Sequence, residues 1–203
     1  GLINLPEGKM KSREGTVVDA DDLINELQKM VIYIMSKRNI SGGIDAKALK
    51  LAVGAIKFMI LKINPTSTMI FNPGEAISFE GDTGPYLNYV YVRCEHILNK
   101  ADIKNFDGID YSKSVTSEEI ALVKHLACFP GLCLSVAADY NLSSIASYLL
   151  SLAKKFHKFY HLHDVLHQDD SALKLFRLAI VRCVRDTINK GLKLLSIDVV
   201  EEM

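Results

Sequence analysis

Apolar residues recur every three or four positions along most of this chain, which is the period of helices that bury one face. The pattern predicts helices that open near Asp19, Asp45, Thr83 and Ser117, a short helix ending near Ala138, a helix through Ile145 to His163, and a last helix from Ser171 to Lys190. We therefore expect an all-α protein, a helical bundle. Gly191 is expected to stop the last helix.

Three stretches depart from the helical period. Gly1 to Leu5 is a strand-like apolar piece with no evident partner, and Asn64 to Ile77 is predicted to be an extended connector containing two prolines. Asp102 to Ser117 is polar, contains a glycine and is predicted to be a loop.

Size and composition limit the classes of protein to which this chain can belong. With 203 residues, 49% hydrophobic and 24% charged, the chain can form one substantial core, or one domain with a smaller appendage. We find no run that is long and apolar enough to span a bilayer and no secretory signal, so we expect a cytoplasmic protein without membrane contact. The formal net charge of zero argues against a globally basic nucleic-acid binder but leaves room for a local patch.

The cysteines are expected to be free, buried thiols, because they are scattered over apolar faces: Cys94, Cys128, Cys133 and Cys183. A metal site built from His125, Cys128 and Cys133 is conceivable. However, residues 129–131 interrupt the ligand spacing and no second ligand pair follows, so we expect no metal.

An aromatic and cationic stripe follows a glycine-rich turn at residues 81–85. Thr83 or Asp82 is suited to cap the helix that begins there, with Pro85 in its first turn. Tyr86, Tyr89 and Arg93 are three and four residues apart and share one helix face. Such a stripe suits base stacking, although half-buried core tyrosines would produce the same pattern.

A basic run occupies the end of the helix through His163. Lys154 to His163 contains three lysines, three histidines and no acidic residue. On a helical wheel Tyr160 falls on the apolar side, and the residues opposite are Lys154, His157, Lys158 and His161. The run is suited to follow a phosphate backbone while an aromatic ring stacks on an unpaired base, or it is a solvated face.

A cationic loop near the start of the chain, Lys9-Met10-Lys11-Ser12-Arg13, is bounded by glycines. Lysine offers a point charge and arginine a planar fork, so this loop is suited to close over phosphates. A mobile, solvated basic loop is the other interpretation.

Several of these segments resemble arginyl-tRNA synthetases. Residues 79–93 resemble the family's signature leading into the anticodon-binding domain, FEGDTGPYLNYVYVR, and residues 54–58 are similar to a segment that precedes it. Residues 148–160 are similar to the anticodon-facing helix, and Met203 fits the family's methionine-terminated tail, with Glu202 in place of the usual arginine. Lys9 to Arg13 sits where class I synthetases carry the KMSKS loop, with Ser12 at the second lysine position and Arg13 at the final serine.

The resemblance implies a C-terminal fragment of a class I arginyl-tRNA synthetase. It divides the chain into the end of a catalytic domain at 1–40, a connecting helical segment at 41–81 and an anticodon-binding helical domain at 82–203. The parent enzyme would ligate arginine to its tRNA with ATP and Mg²⁺ through arginyl-adenylate. The fragment alone is expected to be inactive and free of cofactor, because it has no HIGH-type motif and no nucleotide-binding fold.

The resemblance also implies site residues and partners. The expected partners are tRNA(Arg) and the missing N-terminal catalytic domain, and the protein is expected to be a monomer. The ATP-binding loop would be Lys9, Met10, Lys11, Ser12 and Arg13. The residues expected to contact tRNA are Tyr86, Tyr89, Arg93, Lys154, Lys158, Tyr160, His161 and Met203.

Two alternatives stay open from the sequence. One is the related helical domain of another class I synthetase, such as the cysteinyl enzyme, although the tyrosine-rich signature and methionine-terminated tail argue against it. The other is a non-catalytic helical interaction module whose basic run is only solvated.

Overall fold

A computed structural model describes residues 1–4, 19–37, 42–103, 105–113 and 116–203. The predicted all-α class is confirmed. The elements in chain order are β1 (Ile3–Asn4), α1 (Ala20–Lys37), α2 (Ile44–Leu61), β2 (Met69–Ile70), α3 (Pro73–Ala76), α4 (Gly84–Ala101), α5 (Ser117–Ala127), α6 (Phe129–Asp139), α7 (Ser143–Leu162) and α8 (Ser171–Leu194). One turn of 3-10 helix lies at Tyr111–Lys113.

Helix α4 begins where the sequence predicts. The Thr83 side chain accepts a hydrogen bond from the Tyr86 N–H at 3.1 Å, and Pro85 occupies the first turn. Gly81, just before the cap, has a φ of 81°, a conformation that glycine adopts without strain. A Cβ on Gly84 would lie 3.0 Å from the Gly54 carbonyl oxygen, so glycine allows α4 to approach α2 closely.

Two apolar clusters form the interior. The larger one lies among the five helices α4, α5, α6, α7 and α8 and includes Leu87, Leu149, Phe156 and Val184. The smaller one joins α1 and α2 around Leu27, Leu51 and Ala55, together with residues of the 69–79 connector. Val92 of α4 and Val200 of the C-terminal tail also belong to the smaller cluster, so the tail contributes to packing between the two.

Two helix boundaries differ from the prediction. Gly191 does not stop α8, which continues to Leu194; Gly191 is buried, and a Cβ there would lie 2.5 Å from Leu149 Cδ2. The residue before α2 is Gly43 rather than Asp45, which lies in the first turn, where an acid favours the helix dipole.

The start of the chain does have a partner, contrary to the prediction. Ile3 and Asn4 pair in parallel with Met69 and Ile70, and the connector also contains the short helix α3. This connector is therefore only partly extended. The pairing joins two short runs far apart in sequence, which hydrophobic periodicity does not register.

Helices α5 and α6 expose more apolar surface than expected. By length and composition, Ser117–Asp139 could span a membrane, contrary to the sequence-based expectation. Only 11% of the 18-residue apolar window within this segment is buried in the protein. The helix breaks at Cys128 into pieces of 11 residues each, shorter than the roughly 20 residues that a span requires. Cys128 lies exposed at this break and Cys183 on the outer face of α8, so the prediction of buried thiols is wrong for both; all four cysteines are free.

Candidate nucleic-acid interface

Helices α4 and α7 meet at an arginine held between two tyrosines. The guanidinium carbon of Arg93 lies 4.2 Å from the centre of the Tyr160 ring and 5.7 Å from that of Tyr89. Arg93 also donates a hydrogen bond to the Tyr89 hydroxyl. Cation–π contacts of this kind are worth about 0.5–2 kcal/mol, so Arg93 fixes both rings at a half-exposed surface.

A cavity of about 570 Å³ opens on one side of Tyr89, between the turn that precedes α4 and the side of α7. Aromatic, imidazole and ammonium groups converge on it. Tyr86 is protonated near neutral pH and can donate a hydrogen bond, and burial raises the pKa of this phenol further. The residues that line this first cavity are Phe79, Glu80, Gly81, Tyr86, Tyr89, Lys154 and His157.

A second cavity, of about 280 Å³, lies on the other side of Tyr89. The C-terminal tail forms one of its walls, because the Val200 N–H donates to the buried Asn88 side chain at 3.0 Å and so directs Met203 towards α4. Lys47 pairs with Glu202 at 2.7 Å and holds the tail from the other side. The cavity is lined by Tyr89, Val92, Arg93, His96, Ile97, Lys100, Tyr160, Leu166 and Met203.

The basic face of α7 is paired with acids from other elements. Lys154 contacts Asp82 at 2.7 Å, and Lys158 contacts Glu118 at 3.0 Å. The hydrogen bond from Lys158 lowers the pKa of Glu118 to about 2. The lysine side chains are 60% and 67% exposed, so the pairs are weak and a phosphate can replace either acid.

The same lysines border a shallow groove of about 520 Å³ along α7. Two serines, Ser147 and Ser151, line it together with the apolar Leu150, and it is open enough for a strand of nucleic acid to lie against the helix. The lining residues are Asp82, Ser147, Leu150, Ser151, Lys154, Lys155 and Lys158.

Two histidines add a ring surface beside Tyr160. The His157 and His161 rings meet edge to face at 4.3 Å between centres. Burial lowers the pKa of His157, and the neighbouring His161 and Arg93 lower it further. His157 is therefore a neutral ring near pH 7, better suited to stacking or hydrogen bonding than to pairing with phosphate.

The structure brings together the residues that the sequence singled out on α4, α7 and the tail. Tyr86 and Lys154 share the first cavity, and Arg93, Tyr160 and Met203 share the second, with Tyr89 in both. Lys158 borders the groove, and His161 lies next to Tyr160 in a fourth depression, at residues 160–167. The loop Lys9, Met10, Lys11, Ser12 and Arg13 lies outside the described residues.

Sequence reasoning missed several lining residues. His96 and Lys100 follow Arg93 at helical spacing, a signal that would have placed them on the same face. His157 lies within the basic run and was a further candidate by composition. Leu166 gave no signal, because its place depends on the turn after α7.

Residues 87–203 match the family of the DALR anticodon binding domain. Across its whole length, the chain is 39% identical to an arginine–tRNA ligase of Flavobacterium psychrophilum and 37% identical to one of Phocaeicola vulgatus, of which it covers 34% and 35%. It superposes on Thermus thermophilus arginyl-tRNA synthetase with a TM-score of 0.90 at 30% identity, covering 100% of this chain and 34% of that one. For Plasmodium falciparum arginyl-tRNA synthetase the TM-score is 0.80 at 25% identity, covering 92% and 34%. The chain thus spans about a third of the length of these relatives.

Proposed function

The chain belongs to the DALR anticodon binding domain family, and from that premise we propose that it supplies the anticodon-side tRNA-binding part of an arginine–tRNA ligase. The relatives reported above are two arginine–tRNA ligases and two arginyl-tRNA synthetase structures, which favours arginine over the cysteinyl alternative. The observation that carries the proposal is the Tyr89–Arg93–Tyr160 contact between α4 and α7, with a cavity on either side of Tyr89.

Unpaired bases of an anticodon loop suit these two cavities. Single-stranded RNA is recognised when splayed bases stack on aromatic rings or arginine planes and when their edges meet polar groups. Tyr86, Tyr89, Arg93 and Tyr160 supply the stacking surfaces. His96, His157 and the tail at Met203 lie at the cavity edges, where base edges would arrive.

The groove along α7 suits the phosphates that flank those bases. Lys154, Lys155 and Lys158 lie along one side of it, and a net charge of zero means that this local patch, not a global field, attracts RNA. We assign the base contacts to the cavities and backbone contacts to this groove.

The remaining steps of the ligase reaction belong to the parent enzyme in this proposal. Arginine activation with ATP and Mg²⁺ through arginyl-adenylate would take place in the catalytic domain, and Lys9, Met10, Lys11, Ser12 and Arg13 would stabilise the ATP phosphates electrostatically. Residues 1–40 would belong to that domain, 41–81 would connect it, and 82–203 would bind the anticodon side. Because tRNA charging serves translation, we place the protein in the cytoplasm.

The test compares two alanine variants of the 203-residue chain. Binding is measured for a tRNA(Arg) transcript and for the same transcript with its anticodon replaced, over a series of salt concentrations. Tyr160→Ala should weaken binding of the first transcript about tenfold and remove discrimination between the two, since stacking is worth about 1–3 kcal/mol per base. Lys154→Ala should weaken both transcripts alike and flatten the salt dependence.

Tyr111→Ala is the matched control, because Tyr111 is 75% exposed in the 3-10 turn and lines neither cavity. Circular dichroism checks that each variant keeps its helices. Equal binding of both transcripts by the unaltered chain, with no change on Tyr160→Ala, would refute the assignment.

A further inference from the structure

A buried ion pair ties α8 to the start of α5. Arg177 is 6% exposed and Glu119 is fully buried, and the Arg177 Nε donates to Glu119 Oε1 at 2.8 Å. The other carboxylate oxygen of Glu119 accepts from the Thr116 N–H at 3.2 Å, in a capping box that fixes the carboxylate at the helix start.

The guanidinium of Arg177 reaches a third element as well. Its Nη1 donates to the Asp164 carbonyl oxygen at 2.9 Å, in the turn that follows α7. Buried ion pairs add little net stability compared with apolar packing, and their best-supported use is to fix position. Here the planar fork of arginine holds a carboxylate and a carbonyl at once, which a lysine ammonium cannot reproduce with the same geometry.

The turn held by Arg177 forms one wall of the second cavity. The Asp164 side chain accepts from the Leu166 N–H at 3.0 Å and the His167 N–H at 2.8 Å, which orders the turn. Leu166 then lines the same cavity as Arg93, Tyr160 and Met203. A chain of direct contacts therefore runs from Glu119 through Arg177 and Asp164 to Leu166 in the cavity wall.

We propose that Arg177 is a positioning residue for RNA binding: it makes no RNA contact, but it holds the 164–167 turn so that Leu166 lines the second cavity together with Tyr160. This inference rests on the proposed function for the RNA and on the contacts above for the positioning. It assigns a binding role to a buried ion pair that otherwise has only a structural one.

Arg177→Lys tests the proposal, because lysine keeps a positive charge beside Glu119 and loses the fork that reaches Asp164. Arg185→Lys is the matched control: Arg185 lies on the same helix and pairs with Asp186 and Glu95, away from the turn. Fluorotyrosine is incorporated and the Tyr160 signal is assigned by ¹⁹F NMR with Tyr160→Phe. That signal should shift in Arg177→Lys and stay in place in Arg185→Lys.

Binding of the tRNA(Arg) transcript supplies the second measurement. Arg177→Lys should weaken binding by up to about tenfold, the loss expected for Tyr160→Ala, because a displaced turn removes at most the stacking contact of Tyr160. Added to Tyr160→Ala, it should weaken binding less than twofold further, because both changes remove the same cavity contact. A stability defect without positioning would instead give independent, multiplying losses.

The outcomes separate the two ideas. An unmoved Tyr160 signal in Arg177→Lys, or losses that multiply, overturns the positioning role. A shifted signal with unchanged transcript binding in both Arg177→Lys and Tyr160→Ala refutes the proposed function and with it the role in RNA binding. If Arg177→Lys fails to fold, Leu166→Ala alters the partly exposed cavity wall directly, and unchanged transcript binding in that variant also overturns the proposal.

Discussion

Gly191 lies inside α8 and faces the buried side chain of Leu149 on α7. A Cβ at this position would meet Leu149 Cδ2 at 2.5 Å, Cδ1 at 2.9 Å and Cγ at 3.0 Å. The interior of a protein is packed too closely for Leu149 to move without displacing its neighbours. The missing side chain therefore sets how closely α7 and α8 approach.

Gly191→Ala should lower the free energy of unfolding by about 1–3 kcal/mol, because overpacking outweighs the gain of up to about 1 kcal/mol in helix propensity. Gly131→Ala on α6 is the control, since its Cβ would find nothing within 4 Å. The control should be neutral or stabilising by up to about 1 kcal/mol. Urea unfolding measures both, and equal midpoints for the two variants would contradict this account.

Individual residues differ in how far the sequence predicts them. The Thr83 cap and the buried side of α7 follow from local rules, since the cap bonds its own helix and the wheel needs only helical spacing. The role of Gly191 does not follow from local rules, because glycine is typical both of helix ends and of places where two helices approach closely. Only the position of Leu149, far away in sequence, decides between the two.

At the level of elements, α7 presents Lys154 and Lys158 already paired with acids. Asp82 comes from the turn before α4, and Glu118 from the first turn of α5. In the proposed complex, RNA in the groove would replace both acids with phosphates. The acids would therefore reduce attraction for any polyanion, and a correctly seated RNA would recover the loss through the proposed base contacts.

The double variant Asp82→Asn with Glu118→Gln should bind RNA more tightly. Its binding should also depend more steeply on salt: the slope of log K against log salt concentration should become more negative by up to about 0.7–0.9 for each lysine released. Discrimination between tRNA(Arg) and the anticodon-altered transcript should fall. The matched control is Asp22→Asn with Glu26→Gln, which makes the same two types of substitution at exposed sites on α1. Filter binding across salt concentrations checks this, and equal slopes in the two double variants would contradict it.

The sequence predicts the basic face of α7 but not its acidic partners. Ten consecutive residues without an acid are visible in the chain itself. Asp82 and Glu118 lie on other elements, and their distances from the lysines depend on how α4, α5 and α7 pack. The same limit applies to Leu166, whose role depends on the Arg177 contact.

For the whole molecule, the C-terminal tail connects the two apolar clusters. Val200 packs into the α1–α2 cluster and bonds to Asn88 of α4, while Met203 reaches the second cavity. Anchoring and the proposed RNA contact thus fall on different residues of the tail. The sequence predicts the helical class from its periodicity and the general position of the proposed binding surface from its motifs. It does not predict the β1–β2 pairing, because that pairing depends on contacts between distant segments.

Deletion of residues 201–203 should weaken binding of the tRNA(Arg) transcript severalfold while leaving the thermal midpoint nearly unchanged, because Val200 stays docked. Asn88→Ala should instead lower the free energy of unfolding by about 1–3 kcal/mol, since it leaves the buried Val200 N–H without its acceptor. Differential scanning fluorimetry and the binding titration measure the two effects. A large fall in midpoint on deletion would contradict this division of roles.

The position of Met203 also affects how the protein can be handled. Because this residue lines the same cavity as Tyr89, Arg93 and Tyr160, anything joined to its carboxyl group starts beside that cavity. A purification tag, fluorophore or surface-attachment handle placed there would occupy the space in which a base is proposed to sit. Binding measured on such a fusion would report the accessory peptide as well as the protein.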